Sequence, residues 1–323
     1  PTDAEYDAIV GAFNANWPDE LQSVEAWRYR DKTRSKDFLF RRLVGEVGGS
    51  VIAYGVYGES QYTYVKGKYF VDVCVHAEHQ RRGHGSAMYE RILEELAPRD
   101  PLFITADTRE DKPDFVRFLT SRGFEQTMRY AVSRLYLDKH DFSEFEGAES
   151  RVREQGIEIV PVSRLMKSDP DWKRKWYDLE TKVWMDVPLP EPPTEGTFED
   201  FCTRFGSPGY DADAHFIALD GERYVGMTGM WISAARKDKL YTGLTGVVRS
   251  HRRRGIATAL KLNGFRYART YGAKEVETDN EENNPMYDLN IALGFEAVPA
   301  WLDFRKVLRE PRDGEKIPDV KRD

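Results

Sequence analysis

One short passage of this chain occurs twice. His79-Gln80-Arg81-Arg82-Gly83-His84-Gly85-Ser86-Ala87 returns as His251-Arg252-Arg253-Arg254-Gly255-Ile256-Ala257-Thr258-Ala259, with Gly83 and Gly255 172 residues apart. A second pair, Arg122-Gly123-Phe124 and Leu293-Gly294-Phe295, stands 171 apart at its glycines. Two separate matches at nearly the same spacing mark a tandem duplication and not a short-period solenoid. A length of 323 residues accommodates two domains, each with its own core.

The surroundings repeat as well. A β-branched and aromatic run at 69–75 precedes Gly83, and a glycine-weakened one at 240–248 precedes Gly255. Each glycine is followed by a helical pattern: Ala87, Met88, Ile92, Leu93 and Leu96 in the first half, Ala259, Leu260, Asn263, Tyr267 and Ala268 in the second. Short strands are expected at 102–106 and 275–278, helices near 112–121 and 285–293, and closing strands near 128–137 and 301–307. The order strand–helix–strand–helix–strand in each half predicts an α/β fold on a mixed sheet. The expected domains are 1–138 and 157–310, joined by a polar, acidic linker at 139–156 and followed by a polar tail at 311–323. The second half opens with a strand at 157–162, whereas the first begins with a helix at 5–14, so its first strand is expected to be missing.

Composition removes several function classes. The net charge of −7 argues against a general nucleic-acid coat or a membrane-surface binder. Cys74 and Cys202 cannot build a disulfide framework, and six scattered histidines form no metal-binding motif, so no metal is expected. No apolar run reaches the length of a membrane span, and the expected setting is cytoplasmic.

The chemistry centres on the two glycine turns. A helix start carries orphan N–H groups and a partial positive charge, which suits phosphate. Glycine or alanine at Gly83, Gly85, Gly255 and Ala257 admits a pyrophosphate close to the backbone. Arg81, Arg82, Arg253 and Arg254 add charge at the entrance. The sequence lacks the GxxxxGK[ST] of a P-loop, and Met88 takes the place of the third small residue of a dinucleotide fingerprint.

The pattern (Gln80/Arg252)-x-x-Gly-x-(Gly85/Ala257) after a strand, with a later helix closed by Gly-Phe, resembles the GNAT superfamily of acyl-CoA N-acyltransferases. Thr278-x-Asn280-x-x-x-Asn283-x-x-Met286-x-x-x-Asn290-x-x-Leu293-Gly294-Phe295 is similar to the C-terminal half of tandem members of that superfamily. The resemblance implies acetyl-CoA as the acyl donor and an amine of a small molecule or peptide as acceptor. It implies that Gln80, Arg81, Arg82, Gly83, His84, Gly85 and Ser86 hold the cofactor in the first half. Arg252, Arg253, Arg254, Gly255, Ile256, Ala257 and Thr258 would do so in the second. It also implies that Val73, Val75, Thr245 and Val247 offer backbone groups to the pantetheine arm, and that Asn283 lies beside it.

Both halves depart from the family where a helix often supplies a Tyr to the leaving thiolate: Leu119 stands there in the first half and Asn290 in the second. Lys112 replaces the counterpart of Asn283. Catalysis is therefore expected in the C-terminal half, with a non-catalytic acyl-CoA-binding module as the alternative. Glu277 or Asp186 would take the amine proton, Val247 N–H would stabilise the oxyanion, and Tyr287 would protonate the sulfur. Cys74 reads as a buried, inert thiol. The proline-rich segment 186–195 is expected to contribute to acceptor recognition, and its acidic residues favour a cationic amine.

Overall fold

The structure, a computed structural model, describes residues 1–319. The last four positions of the tail expected at 311–323 lie outside the described residues. In chain order the elements are α1 (Asp3–Asn16), α2 (Val24–Thr33), β1 (Phe40–Val47), β2 (Ser50–Gly58), β3 (Lys68–Val75), α3 (His84–Leu96), β4 (Phe103–Arg109), α4 (Pro113–Thr120) and β5 (Glu125–Tyr136). There follow α5 (Ala148–Glu154), β6 (Ile157–Pro161), α6 (Val162–Ser168), α7 (Trp172–Trp184), α8 (Phe198–Thr203), β7 (His215–Asp220) and β8 (Arg223–Ile232). The chain ends with β9 (Lys239–Thr242), β10 (Gly246–Val247), α9 (Ile256–Tyr271), β11 (Glu275–Glu281), α10 (Pro285–Ala292) and β12 (Glu296–Val307).

Two compact units emerge. The first comprises Pro1–Tyr130, Leu189–Thr194 and the described residues from Pro299 onward. Its strands run in the order β1-β2-β3-β4-β12. β3 is antiparallel to β2 and parallel to β4, and β12 runs antiparallel along β4 from Val307↔Phe103 to Trp301↔Arg109. One face of this sheet buries Val71, Val75, Ile104, Leu302 and Phe304 against Met88, Ile92 and Leu96 of α3. Those three helical residues follow the spacing of one helix face. The other face carries Tyr54, Val56 and Cys74 against Ile9 and Val10 of α1 and Trp27 of α2.

The second unit comprises Ala131–Pro188 and Glu195–Val298. Its strands run β5-β11-β9-β8-β7-β6, and β10 pairs with β8. β9 and β11 are parallel, while the pairs from β8 to β6 are antiparallel. One face buries Leu135, Leu240, Val276, Phe265 and Ala268. The opposite face packs Ile217 and Met227 against Trp176, Leu179 and Val183 of α7. β6 extends the edge beyond β7, whereas no strand among the described residues lies beyond β1.

Each unit completes its sheet with a strand from the other half of the sequence. β12 supplies Leu302 and Phe304 to the first core, and residues of β5 from Ala131 onward supply Leu135 to the second. Both strands are 12 residues long and start at positions 171 apart. The segment expected as a linker contains α5, whose Val152 is buried. Its Glu149 accepts hydrogen bonds from Asn263 Nδ2 at 3.0 Å and Arg266 Nη2 at 2.6 Å on α9.

Candidate active site: two splayed strand pairs with helix-start nests

In the first unit β3 and β4 pair only over 68–70 against 103–105 and then part. His76 N–H donates to Ile52 O, which fixes the antiparallel alternation with β2. By that alternation Val73 and Val75 turn their own N–H and C=O groups away from β2, toward the gap left by β4. In the second unit β9 and β11 pair only over 239–241 against 275–277. Val248 N–H donates to Val225 O, so Val247 likewise faces away from β8.

The second unit adds a β-bulge. Met230 pairs with Thr242, yet Met227 pairs with Gly246. Three steps along β8 are thus matched by four along its partner, and the extra residue falls within 243–245. The register of β2 with β3 has no such shift. The insertion is also visible in the spacing of the copies: Lys68 and Lys239 both open the parallel pairing and stand 171 apart, against 172 for the glycines. Thr245 is held in the bulge by a 2.7 Å bond between its hydroxyl and that of Thr228.

The glycine turns match closely. Gly83 (φ 88°) and Gly255 (φ 80°) are left-handed N-caps of α3 and α9, and neither helix start has a side-chain cap. Arg81 and Arg253 both adopt φ 62°, a conformation rare for a side-chain-bearing residue. Left-handed residues at two of three successive positions curl the backbone N–H groups into an anion-binding concavity. Gln80 and Arg252 clamp this turn to the strand before it. Gln80 Nε2 donates to Val75 O at 3.1 Å, and Arg252 Nε donates to Val247 O at 3.0 Å. Both residues of that motif position thus shape the nest.

The flanking residues differ. Arg81, Arg82 and Arg253 are exposed, whereas Arg254 donates to Gln155 Oε1 at 2.9 Å. Ser86 accepts from Arg122 Nη2 at 2.7 Å. His84, Ala257 and Thr258 are half-buried at their helix starts, and Ile256 is buried. At Gly85 a Cβ would lie 3.6 Å from Phe118, an ordinary contact. Asn283 is exposed and donates through N–H and Nδ2 to Glu281 Oε1, both at 3.0 Å, while Asn284 caps α10.

Among the catalytic candidates, Glu277 is engaged by Arg134 Nε and by Lys239 Nζ, the latter at 3.0 Å. Asn290 is buried and donates to Asn280 Oδ1 at 2.6 Å. Tyr287 is half-buried on α10. Asp186 is held below the ordinary carboxylate range by hydrogen bonds from Arg249 and Arg252, which disfavours it as a base. Burial pushes the Cys74 thiol up to about 12, so it stays protonated.

The sequence reading missed Asp107 and Asp279. Each lies on the strand beyond the last parallel pair, at the parting of the strands, and the two stand 172 apart. Both are exposed at the surface, yet desolvation by the surrounding protein raises both carboxyls, and the charge of Glu277 raises Asp279 further. That shared spacing was the available signal. The segment 189–194 belongs to the first unit, where Glu191 is buried and pairs with Lys68 and Arg305. Thr194 is anchored there too, its N–H donating to Tyr62 O and its hydroxyl accepting from Tyr64 N–H, both at 2.8 Å.

Among the described residues no group of three or more His, Cys, Asp or Glu could hold a metal ion, and no helix is long and apolar enough to cross a membrane.

Parted parallel strands facing a helix-start nest, present twice, define a tandem acyltransferase fold. The sequence matches the acetyltransferase (GNAT) family over residues 3–124 and again over 173–295, and the chain belongs to that family. Among solved structures, it is similar to a tandem GNAT protein from the clavulanic acid biosynthesis pathway, with TM-score 0.73, 20% identity, and 97% of this chain and 98% of that one covered. It is also similar to a GCN5-related N-acetyltransferase from Sphaerobacter thermophilus, with TM-score 0.66, 20% identity, and 96% and 95% covered. A putative acetyltransferase from Pyrococcus horikoshii aligns with TM-score 0.56, 15% identity, and 99% and 90% covered. No curated protein matches the sequence.

Proposed function

We propose that this chain is an acetyl-CoA-dependent N-acetyltransferase acting on a primary amine of a small molecule or peptide, with turnover in the second unit. The observation that carries this reading is the bulge at 243–245 beside the parted strands β9 and β11. A bulge re-aims backbone groups where a strand leaves its partner. The nest at Gly255 would hold the pyrophosphate and Val247 the pantetheine arm. The thioester would then lie between the bulge and Asp279.

A neutral amine attacks the thioester carbonyl, and Val247 N–H stabilises the tetrahedral oxyanion. Asp279, its carboxyl raised by the surrounding protein and by Glu277, takes the amine proton directly or through one water. Glu277 contributes the negative charge that raises Asp279, and Asn290 supports the helix carrying Tyr287. Collapse of the intermediate breaks the C–S bond, and Tyr287 returns a proton to the departing thiolate. The first unit, with its nest but no bulge, binds the carrier without turning it over.

The test is steady-state release of CoA thiol from acetyl-CoA across a panel of cationic and anionic primary amines. Amine-dependent release supports the reading. Release with no amine, or with none of the panel, contradicts it.

A further inference from the structure

On the α2 side of the first sheet, away from the nest at Gly83, lies a cavity of about 240 Å³. Its walls are aromatic: Trp27, Phe40, Tyr54 and Phe70. Its charged groups are Arg30, Arg34 and Arg42, set against Asp31 and Asp72. Three guanidiniums facing two carboxylates leave positive charge in excess.

The arginines of the cavity keep donors that no side chain uses. Asp31 is committed to Arg42 through two contacts and accepts from Tyr6 Oη at 2.8 Å. Arg34 stands 3.7 Å from Asp31 and lies 3.7 Å over the Phe40 ring, so it retains donor capacity. Arg30 donates to the neutral amide of Gln22 at 3.1 Å. Three buried donors belonging to these wall residues, Trp27 Nε1, Arg34 Nε and Arg42 Nε, have no acceptor. Buried polar groups are ordinarily paired, and here every unpaired one is a donor.

We infer that this cavity is a binding site for a small organic monoanion, a carboxylate carried on a flat apolar body. The aromatic walls would take the body, and the arginine and indole N–H groups would take the carboxylate. Planar carboxylate matches the guanidinium fork, and its negative charge offsets the positive excess. Desolvation by the surrounding protein and the charge of Asp107 push the Asp72 carboxyl up to about 7 although its side chain reaches water, which limits its repulsion of such a ligand. The cavity lies in the first unit, to which the acyl-transfer reading assigns no turnover, and the inference stands or falls without that reading.

The test is titration calorimetry of the full chain with benzoate, benzamide and benzylamine, with acetyl-CoA titrated in parallel. Benzoate is expected to bind at least about tenfold more tightly than the other two. Arg34→Gln should weaken benzoate about tenfold and leave acetyl-CoA uptake unchanged. Trp27→Phe, which keeps a ring and removes only the orphan N–H, should weaken it severalfold and decides the matter if Arg34→Gln does not fold. Absence of benzoate binding, equal or tighter binding of benzylamine, or indifference to both substitutions would overturn the inference. Loss of acetyl-CoA uptake alone would count against the acyltransferase reading and leave this one intact.

Discussion

Arg305 Nη2 donates to Glu191 Oε1 at 2.8 Å, and the same buried carboxylate holds Lys68. The second unit repeats the arrangement with Arg134, Lys239 and Glu277. The arginines stand 171 apart, as do the lysines, but the glutamates come from unrelated places. In the first unit the carboxylate is brought by the proline-rich segment 189–194, and in the second by β11. Glu191→Gln leaves two buried cations facing a neutral amide. It should destabilise the first unit by about 3–5 kcal/mol, measured as a lowered urea midpoint, whereas an unchanged midpoint would remove Glu191 from the fold's essential contacts.

Strand exchange predicts the fate of a half-length chain. Residues 1–138 lack β12, and with it Leu302 and Phe304 of the first core, and they lack Glu191. This fragment should give neither a cooperative thermal transition nor a dispersed amide spectrum. The full chain should give both, and a well-folded fragment would show that β5 can close the first sheet.

Asp72 gives a pH signature. Its side chain reaches water in the cavity, yet surrounding protein and the charge of Asp107 lift its carboxyl to about 7. A carboxyl raised on folding is protonated in the folded state while ionised in the unfolded one. Its contribution is therefore fully present below about pH 4 and is lost as pH rises through about 7. Because water screens the site, the loss is on the order of 1 kcal/mol. Asp72→Asn removes it, so the variant should gain stability relative to the parent between about pH 5 and about pH 8 in denaturant titrations. A constant difference across that range would contradict the assignment.

The nests separate the roles of the two units. Gly255→Asp places a strained, negatively charged residue at φ 80°, and should lower kcat/KM for acetyl-CoA by roughly a hundredfold or more. Gly83→Asp, at φ 88°, should leave turnover unchanged. Equal losses in CoA-thiol release would move catalysis out of the second unit alone.

Much of this was legible in the residues. The glycine turns, their helices and the order of elements followed from the repeat and from periodicity, because local propensity and burial agree there. The partners of β5 and β12 were not legible, since strand propensity fixes which residues extend but not which sheet edge they join. The bulge left only a one-residue change in the repeat spacing, from 171 at Lys68 and Lys239 to 172 at Gly83 and Gly255, which does not say where along the strand the extra residue sits. Asn284 caps α10, which leaves the neighbouring Asn283 exposed. Glu277 and Asp186 resembled bases because a sequence lists carboxylates without the arginines that fold against them. Asp107 and Asp279 carried the repeat spacing, but their exposure to the parted strands belongs to the tertiary structure.

Calorimetric titration of the intact chain with acetyl-CoA bears on all of this most directly. Saturable uptake that persists in Gly83→Asp and in Gly255→Asp singly, and disappears when both are combined, is the expected result. No uptake by the unaltered chain would contradict the nests as carriers of the cofactor.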